Sequence, residues 1–228
     1  MYFIKYITFI IVLFSMLTGC GMAVEEEIFN HLEKAVSLEG VFEEQQQPLV
    51  ELEMKEQELY EKIIKLGMSE FNEIKVLSQE ALAIIDEREA RIEKEKDSIH
   101  ASRQEFLLIE SKVRKLKEES VKQKAEELLN AMKRRYDTYD LLYSYYKEAI
   151  ALDRTLYEMF QREDLTLQQL EEQIRKINEM YDNVVKTNEQ FNELTDTYNV
   201  KKKEFYEAAG LDVVFEQATV SGENEEGK

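Results

Sequence analysis

Helix breakers and thiols are nearly missing from this sequence. Among 228 residues there is one cysteine, one proline, seven glycines, two histidines and no tryptophan. The lone cysteine, Cys20, cannot form an internal disulfide, and nothing after it offers a thiol for catalysis or metal binding. Between Met22 and Ala209 the only glycines and prolines are Gly40, Pro48 and Gly67, which nearly excludes a sheet with its turns. There is no Gly-x-Ser-x-Gly elbow for a hydrolase. His31 and His100 are too few for the paired Glu-x-x-His motifs of a di-iron bundle, and only Asp97-Ser98-Ile99-His100 approaches that spacing. No metal, cofactor or catalytic activity is expected. Positive charge is also in deficit, with 30 Lys+Arg against 48 Asp+Glu. That balance argues against nucleic acid as a partner and against a wide electrostatic seat on anionic lipid. The many glutamates at helical spacing read as solvated faces rather than carboxylate catalysis.

What is present divides at Cys20. Residues 1 to 6 carry a single charge, Lys5, and an apolar run from Ile7 to Leu17 leads to small residues. This is the layout of an export signal. A membrane span needs about 20 apolar residues, and this run is about half that. Leu17, Thr18, Gly19 and Cys20 together resemble the lipobox of bacterial lipoproteins, in which the cysteine thiol receives a diacylglyceryl group and the signal is cut off before it. The expected organisation is a removed signal at 1–19, a lipidated N-terminus at 20–23, a helical bundle at 24–211 and an acidic, largely disordered tail at 212–228. Loss of Lys5 with the signal leaves 29 basic against 48 acidic residues, a net charge of −19. Two acyl chains would hold the chain stably on the extracytoplasmic face of the cell membrane, where a single chain gives marginal binding.

Beyond Val24 the apolar residues follow a heptad seam in steps of four and three. The first seam runs Val24, Ile28, His31, Ala35, Leu38, Phe42, Gln45, Leu49, Leu52, Glu56, Leu59, Ile63, Leu66, with a kink expected at Pro48 and a stop at Gly67. Ser69 is the candidate cap of the second helix, whose seam runs from Phe71 through Ser78, Arg88, Glu95 and Ser102 to Leu116. Ser120 with Gln123 has capping-box spacing after the polar Lys117-Glu118-Glu119, and Thr166 with Gln169 repeats it. A third seam rich in tyrosine runs Ala125 to Phe160, and a fourth runs Leu170 to Phe205 and ends at Gly210, where a left-handed cap belongs. The fold class is therefore all-α. The spacing predicts an elongated up-and-down antiparallel bundle of four long helices, about 24–66, 69–116, 120–162 and 166–209, or three if the turn near Ser120 is absent.

Antiparallel pairing across those turns sets Gln45 and Gln46 beside Arg88, with Tyr143, Tyr146 and Asn188 at the same level. A polar layer of Gln45, Arg88, Tyr143, Tyr146 and Asn188 then crosses the middle of the rod. It can fix register and topology, as single polar seam residues do in coiled coils, or line a groove that binds a glycan or peptide.

Phe42-Glu43-Glu44-Gln45-Gln46-Gln47-Pro48-Leu49, Lys65-Leu66-Gly67, Asp86-Glu87-Arg88-Glu89, Asp164-Leu165-Thr166-Leu167 and Phe205-Tyr206-Glu207-Ala208-Ala209-Gly210-Leu211 resemble the YkyA-like family of cell-wall-binding lipoproteins of Gram-positive bacteria, over essentially the whole chain. The resemblance implies an all-helical extracytoplasmic lipoprotein with peptidoglycan or another envelope component as partner, and no catalytic residues. Two functions stay open: a non-catalytic, lipid-anchored spacer or adaptor, and a regulator or holdase that captures an exported protein along its helices.

Overall fold

A computed structural model describes residues 23–66 and 68–213. The export signal with Leu17, Thr18, Gly19 and Cys20, the stop at Gly67, and the tail after residue 213 lie outside the described residues. Among the described residues six α-helices follow one another: α1 (Val24–Leu38), α2 (Gly40–Ile63), α3 (Phe71–Leu107), α4 (Glu110–Val113), α5 (Glu119–Phe160) and α6 (Leu167–Ala208), with a 3-10 turn at Met68–Glu70 before α3. No strand occurs among the described residues. The helices form four antiparallel rods, the first made of α1 and α2 and the second of α3 and α4. At 1.5 Å per residue, the 42-residue α5 and α6 are each about 63 Å long.

The heptad seams are what the bundle buries. In α2 these are Phe42, Gln45, Leu49, Leu52, Glu56, Leu59 and Ile63, and in α3 the seam from Ile74 to Phe106 is buried at every heptad position. Packing joins α2 to α3, α3 to α5, and α5 to α6, while α1 lies against α3 and α4. The fourth rod meets the first through long side chains: Phe29 packs tilted against Tyr206 with ring centroids 5.2 Å apart, and Phe42 meets Phe191 edge-on at 5.9 Å. Two apolar cores result. One, built around Ile28, Phe106, Tyr136 and Phe205, fills the end that carries Val24. The other, built around Ile63, Ile85, Ile150 and Phe160, fills the opposite end.

The helix ends show which local signals govern. Thr166 forms the complete capping box: its hydroxyl accepts the Gln169 N–H at 3.3 Å, and Gln169 Oε1 accepts the Thr166 N–H at 3.1 Å. Gly210 has φ 65°, and the Leu211 N–H reaches the Tyr206 carbonyl at 3.0 Å while Leu211 packs on the core, a Schellman close.

Two cap placements are corrected, and one break is added. The turn before α5 exists, so the rods number four, but Glu118 is its cap residue; Ser120 lies inside the helix and donates to Glu118 Oε1 at 2.6 Å. Ser69 sits within the 3-10 turn, and Glu70 precedes α3. Helix α2 runs through Pro48 as one helix, as the surviving heptad phase predicts, and a break that the sequence reading does not place falls at Glu39. Its cause lies across the interface. The Ser98 hydroxyl accepts the Phe42 N–H at 3.2 Å and donates to the Leu38 carbonyl at 2.6 Å, two groups that an unbroken helix would bond to each other. Pro48 is tolerated because Glu44, whose carbonyl loses its donor, faces solvent.

Candidate functional site: polar layers in the bundle interior

Four sets of polar side chains interrupt the apolar seam. The best connected centres on Arg88, which is 1% exposed. Its Nη1 donates to Glu56 Oε2 at 2.5 Å and Asp153 Oδ2 at 3.1 Å, and its Nη2 to the hydroxyls of Tyr181 at 2.7 Å and Tyr146 at 3.1 Å. Tyr181 donates onward to Asp153 at 2.5 Å, and Tyr146 to Glu53. One guanidinium thus ties all four rods. Three carboxylates surround this one cation. Burial pushes Glu56 up to about 7 despite the opposing pull of Arg88, and raises Asp153 as well.

Further toward Val24 is Glu95, 7% exposed, which accepts from Gln46 Nε2 at 2.5 Å. Burial pushes its carboxyl up to about 8, more than the Gln46 hydrogen bond can offset. Next comes Arg135, 2% exposed, whose Nη1 and Nη2 grip the two oxygens of Glu39 at 2.8 and 2.7 Å and whose Nε donates to Thr195 Oγ1 at 2.8 Å. Ser102 donates to the same Glu39 carboxylate at 2.9 Å, so the break that Ser98 opens is where Glu39 turns inward. The last set joins Lys202 and the Tyr206 hydroxyl to Glu33 Oε1, at 3.0 and 2.7 Å.

The structure brings Arg88 and Tyr146 together and distributes the other residues of the expected layer. Gln45 accepts from Arg91 Nη1 at 3.1 Å, about one helical turn from where the pairing placed it. Tyr143 donates to Glu93 at 2.8 Å, and Asn188 is half-buried on α6. Sequence reasoning passed over Glu53 and the Glu39–Arg135 pair. Gly40 beside Glu39 was the available signal for the break, and Arg135 falls in a second seam, Leu128, Met132, Arg135, Tyr139, that runs alongside the first.

The chemistry this supports is cohesion. Each buried cation is bonded to at least one carboxylate and each bridges separate rods, so none presents a free group to a substrate. His31 bonds Glu105 at 2.6 Å and His100 bonds Gln104 at 2.7 Å. A surface hollow of about 210 Å³ is lined by Lys96, Ile99, His100, Arg103, Tyr136 and Asp140. Its cations are engaged as well, Arg103 with Asp137 and Asp140 at 2.8 Å each and Lys96 with Asp140.

Comparison with known proteins agrees with this architecture. The family model YkyA, described as "Putative cell-wall binding lipoprotein", matches residues 23–208. "Uncharacterized lipoprotein YkyA" of Bacillus subtilis (strain 168) is 38% identical over 199 residues, covering 87% of this chain and 89% of that one. A 1.6 Å crystal structure of a conserved protein of unknown function from Staphylococcus aureus aligns with a TM-score of 0.68 at 18% identity, covering 80% of this chain and 93% of that one, a likeness of fold alone.

Proposed function

The chain belongs to the YkyA family of lipoproteins, and from that membership we propose that it is a non-catalytic, membrane-anchored extracytoplasmic rod acting as a spacer or adaptor toward the cell wall. The observation that carries this reading is the use of the buried charges. Arg88, Arg135 and Lys202 each tie separate rods together, which makes the interior a set of structural ties rather than a reaction site. In this reading Cys20 carries the diacylglyceryl anchor, with Leu17, Thr18 and Gly19 forming the recognised signal before it. Three residues lie between Cys20 and Val24, and the four Cα–Cα steps reach at most about 14 Å. The end holding Val24 then faces the bilayer, and the turns around Lys65 and Asp164 stand about 60 Å away.

The spacer reading is preferred over capture of an exported client because the exposed large apolar side chains are single residues spread over all four rods, including Met54, Val76, Leu141 and Val200. Photo-crosslinkers placed at Lys65, Glu163 and Glu119 in intact cells test it. Adducts with peptidoglycan or another wall component from the first two positions and not from Glu119 support the reading. Adducts with one exported protein along the flanks would replace it with the client-binding alternative.

A further inference from the structure

The net negative charge of the chain conceals a local reversal in one short segment. Between residues 112 and 122 lie Lys112, Arg114, Lys115, Lys117 and Lys122 against only Glu118 and Glu119. The two turns at the far end have no such excess: Lys62 and Lys65 sit with Glu61 and Glu70, and Arg162 with Glu163 and Asp164. Arg114, Lys115 and Lys117 are exposed and form no ion pair among the described residues; Lys115 acts on Glu27 only through space. Elsewhere on the surface the basic side chains are commonly paired, as Lys147 is with Glu89 and Glu93, and Arg154 with Asp86 and Glu89.

The fold places this basic turn beside the start of α1. Lys112 Nζ meets Glu27 Oε2 at 2.5 Å, and Val24 packs on the core that contains Val113 and Leu116. Of the acidic residues at that end, Glu27 is occupied by Lys112, and Glu207 and Asp212 are exposed where α6 closes. Glu118 and Glu119 occupy the N-cap and first positions of α5, where their charges complement the helix dipole. Glu25 and Glu26 flank the patch on the first turn of α1.

We propose that the α4–α5 turn, through Arg114, Lys115, Lys117 and Lys122, is a contact for the anionic headgroups of a lipid bilayer, and that it sets the tilt of the rod on the membrane. The partner is a bilayer and not a soluble anion because the patch lies at the end of the bundle that carries Val24, close in sequence to Cys20, so the proposal rests on the lipid anchor of the preceding reading. An anchored chain holds these charges at the headgroup level, where each contributes about fivefold to the bound population. Contact should weaken steeply with salt, since the screening length is about 8 Å at 0.15 M.

The test uses the mature lipidated chain carrying Ser120→Cys, in which the lipid occupies Cys20 and the new thiol alone takes a fluorophore. The probe is reconstituted in vesicles of phosphatidylcholine with or without phosphatidylglycerol and quenched by headgroup-labelled lipid. Strong quenching is expected with phosphatidylglycerol at 50 mM salt, with loss at 500 mM salt and in the Arg114→Glu, Lys115→Glu, Lys117→Glu variant. A probe at Asp164→Cys should respond to none of these changes. Equal quenching in both lipids, or no effect of the triple variant, overturns the proposal. If the anchor reading fails, the chain will not float with pure phosphatidylcholine vesicles. Flotation restricted to phosphatidylglycerol, abolished by the triple variant, would still support the basic contact.

Discussion

Replacing Glu95 with glutamine should stabilise the bundle at pH 7.5 and flatten the dependence of its stability on pH. Glu95 is buried between the two apolar cores, with the Gln46 amide as its hydrogen-bond partner, and Glu53 and Tyr139 among the titratable groups that feel it. No cation pairs with it among the described residues. Burial pushes its carboxyl up to about 8, against about 4.3 in an unfolded chain. The folded state therefore keeps a proton that the unfolded state has already released. The stabilising proton is fully held below about pH 4.5, and its contribution is lost as pH rises toward 8, at about 1.4 kcal/mol per pH unit. From pH 5 to 7.5 the loss is about 3 kcal/mol. Glutamine keeps the shape and an acceptor for Gln46 but does not titrate. Thermal unfolding followed by circular dichroism at pH 5, 6 and 7.5 is the assay, and about 2–4 °C per kcal/mol is expected for a chain of this size. The Tm difference between E95Q and the parent should grow by about 6–12 °C across that range. The parent and E95Q share Glu56, pushed up to about 7, so the difference between their curves isolates Glu95. Parallel curves, or an E95Q chain that weakens relative to the parent as pH rises, would refute the reasoning.

Three other substitutions test separate parts of the account. Arg88→Met leaves Glu53, Glu56 and Asp153 without their cation and should cost about 3–5 kcal/mol by urea denaturation at pH 7.5, with part recovered at pH 5 as the carboxyls protonate. Ser98→Ala removes the hydroxyl bridging the Phe42 N–H and the Leu38 carbonyl, so about 1–3 kcal/mol should be lost, with faster hydrogen exchange at the Phe42 amide. Gly210→Ala forces a side chain onto a residue with φ 65° and should cost about 1 kcal/mol, seen as a lower Tm at pH 7.5.

The seams carried most of the architecture. Period and the scarcity of breakers identify four rods, and the buried positions of α2 and α3 follow the heptad list, including the polar members Gln45, Glu56, Arg88 and Glu95, except that Ser98 is buried outside it and Phe71 is only half-buried. The register between rods was less legible. A one-turn shift along α3 changes few apolar contacts, because isoleucine, alanine and leucine recur every heptad; it does change which polar groups meet. Arg88 accordingly pairs with Glu53 and Glu56 rather than standing beside Gln45, and Gln46 reaches Glu95. The break at Glu39 was hidden for a similar reason. Pro48 leaves the Glu44 carbonyl without its donor while the helix continues through it. A serine arriving from another rod can open a helix at a place where local sequence shows only Gly40. Arg135 was missed because α5 packs against both α3 and α6, so its buried stripe is wider than a single coiled-coil seam.

The central claim, a non-catalytic rod that binds the wall, is tested most directly by co-sedimentation of the purified mature chain with protein-free peptidoglycan sacculi. The account predicts saturable retention that needs no other protein and leaves the sacculi chemically unchanged. Absence of retention, or release of soluble wall fragments during the incubation, would contradict it.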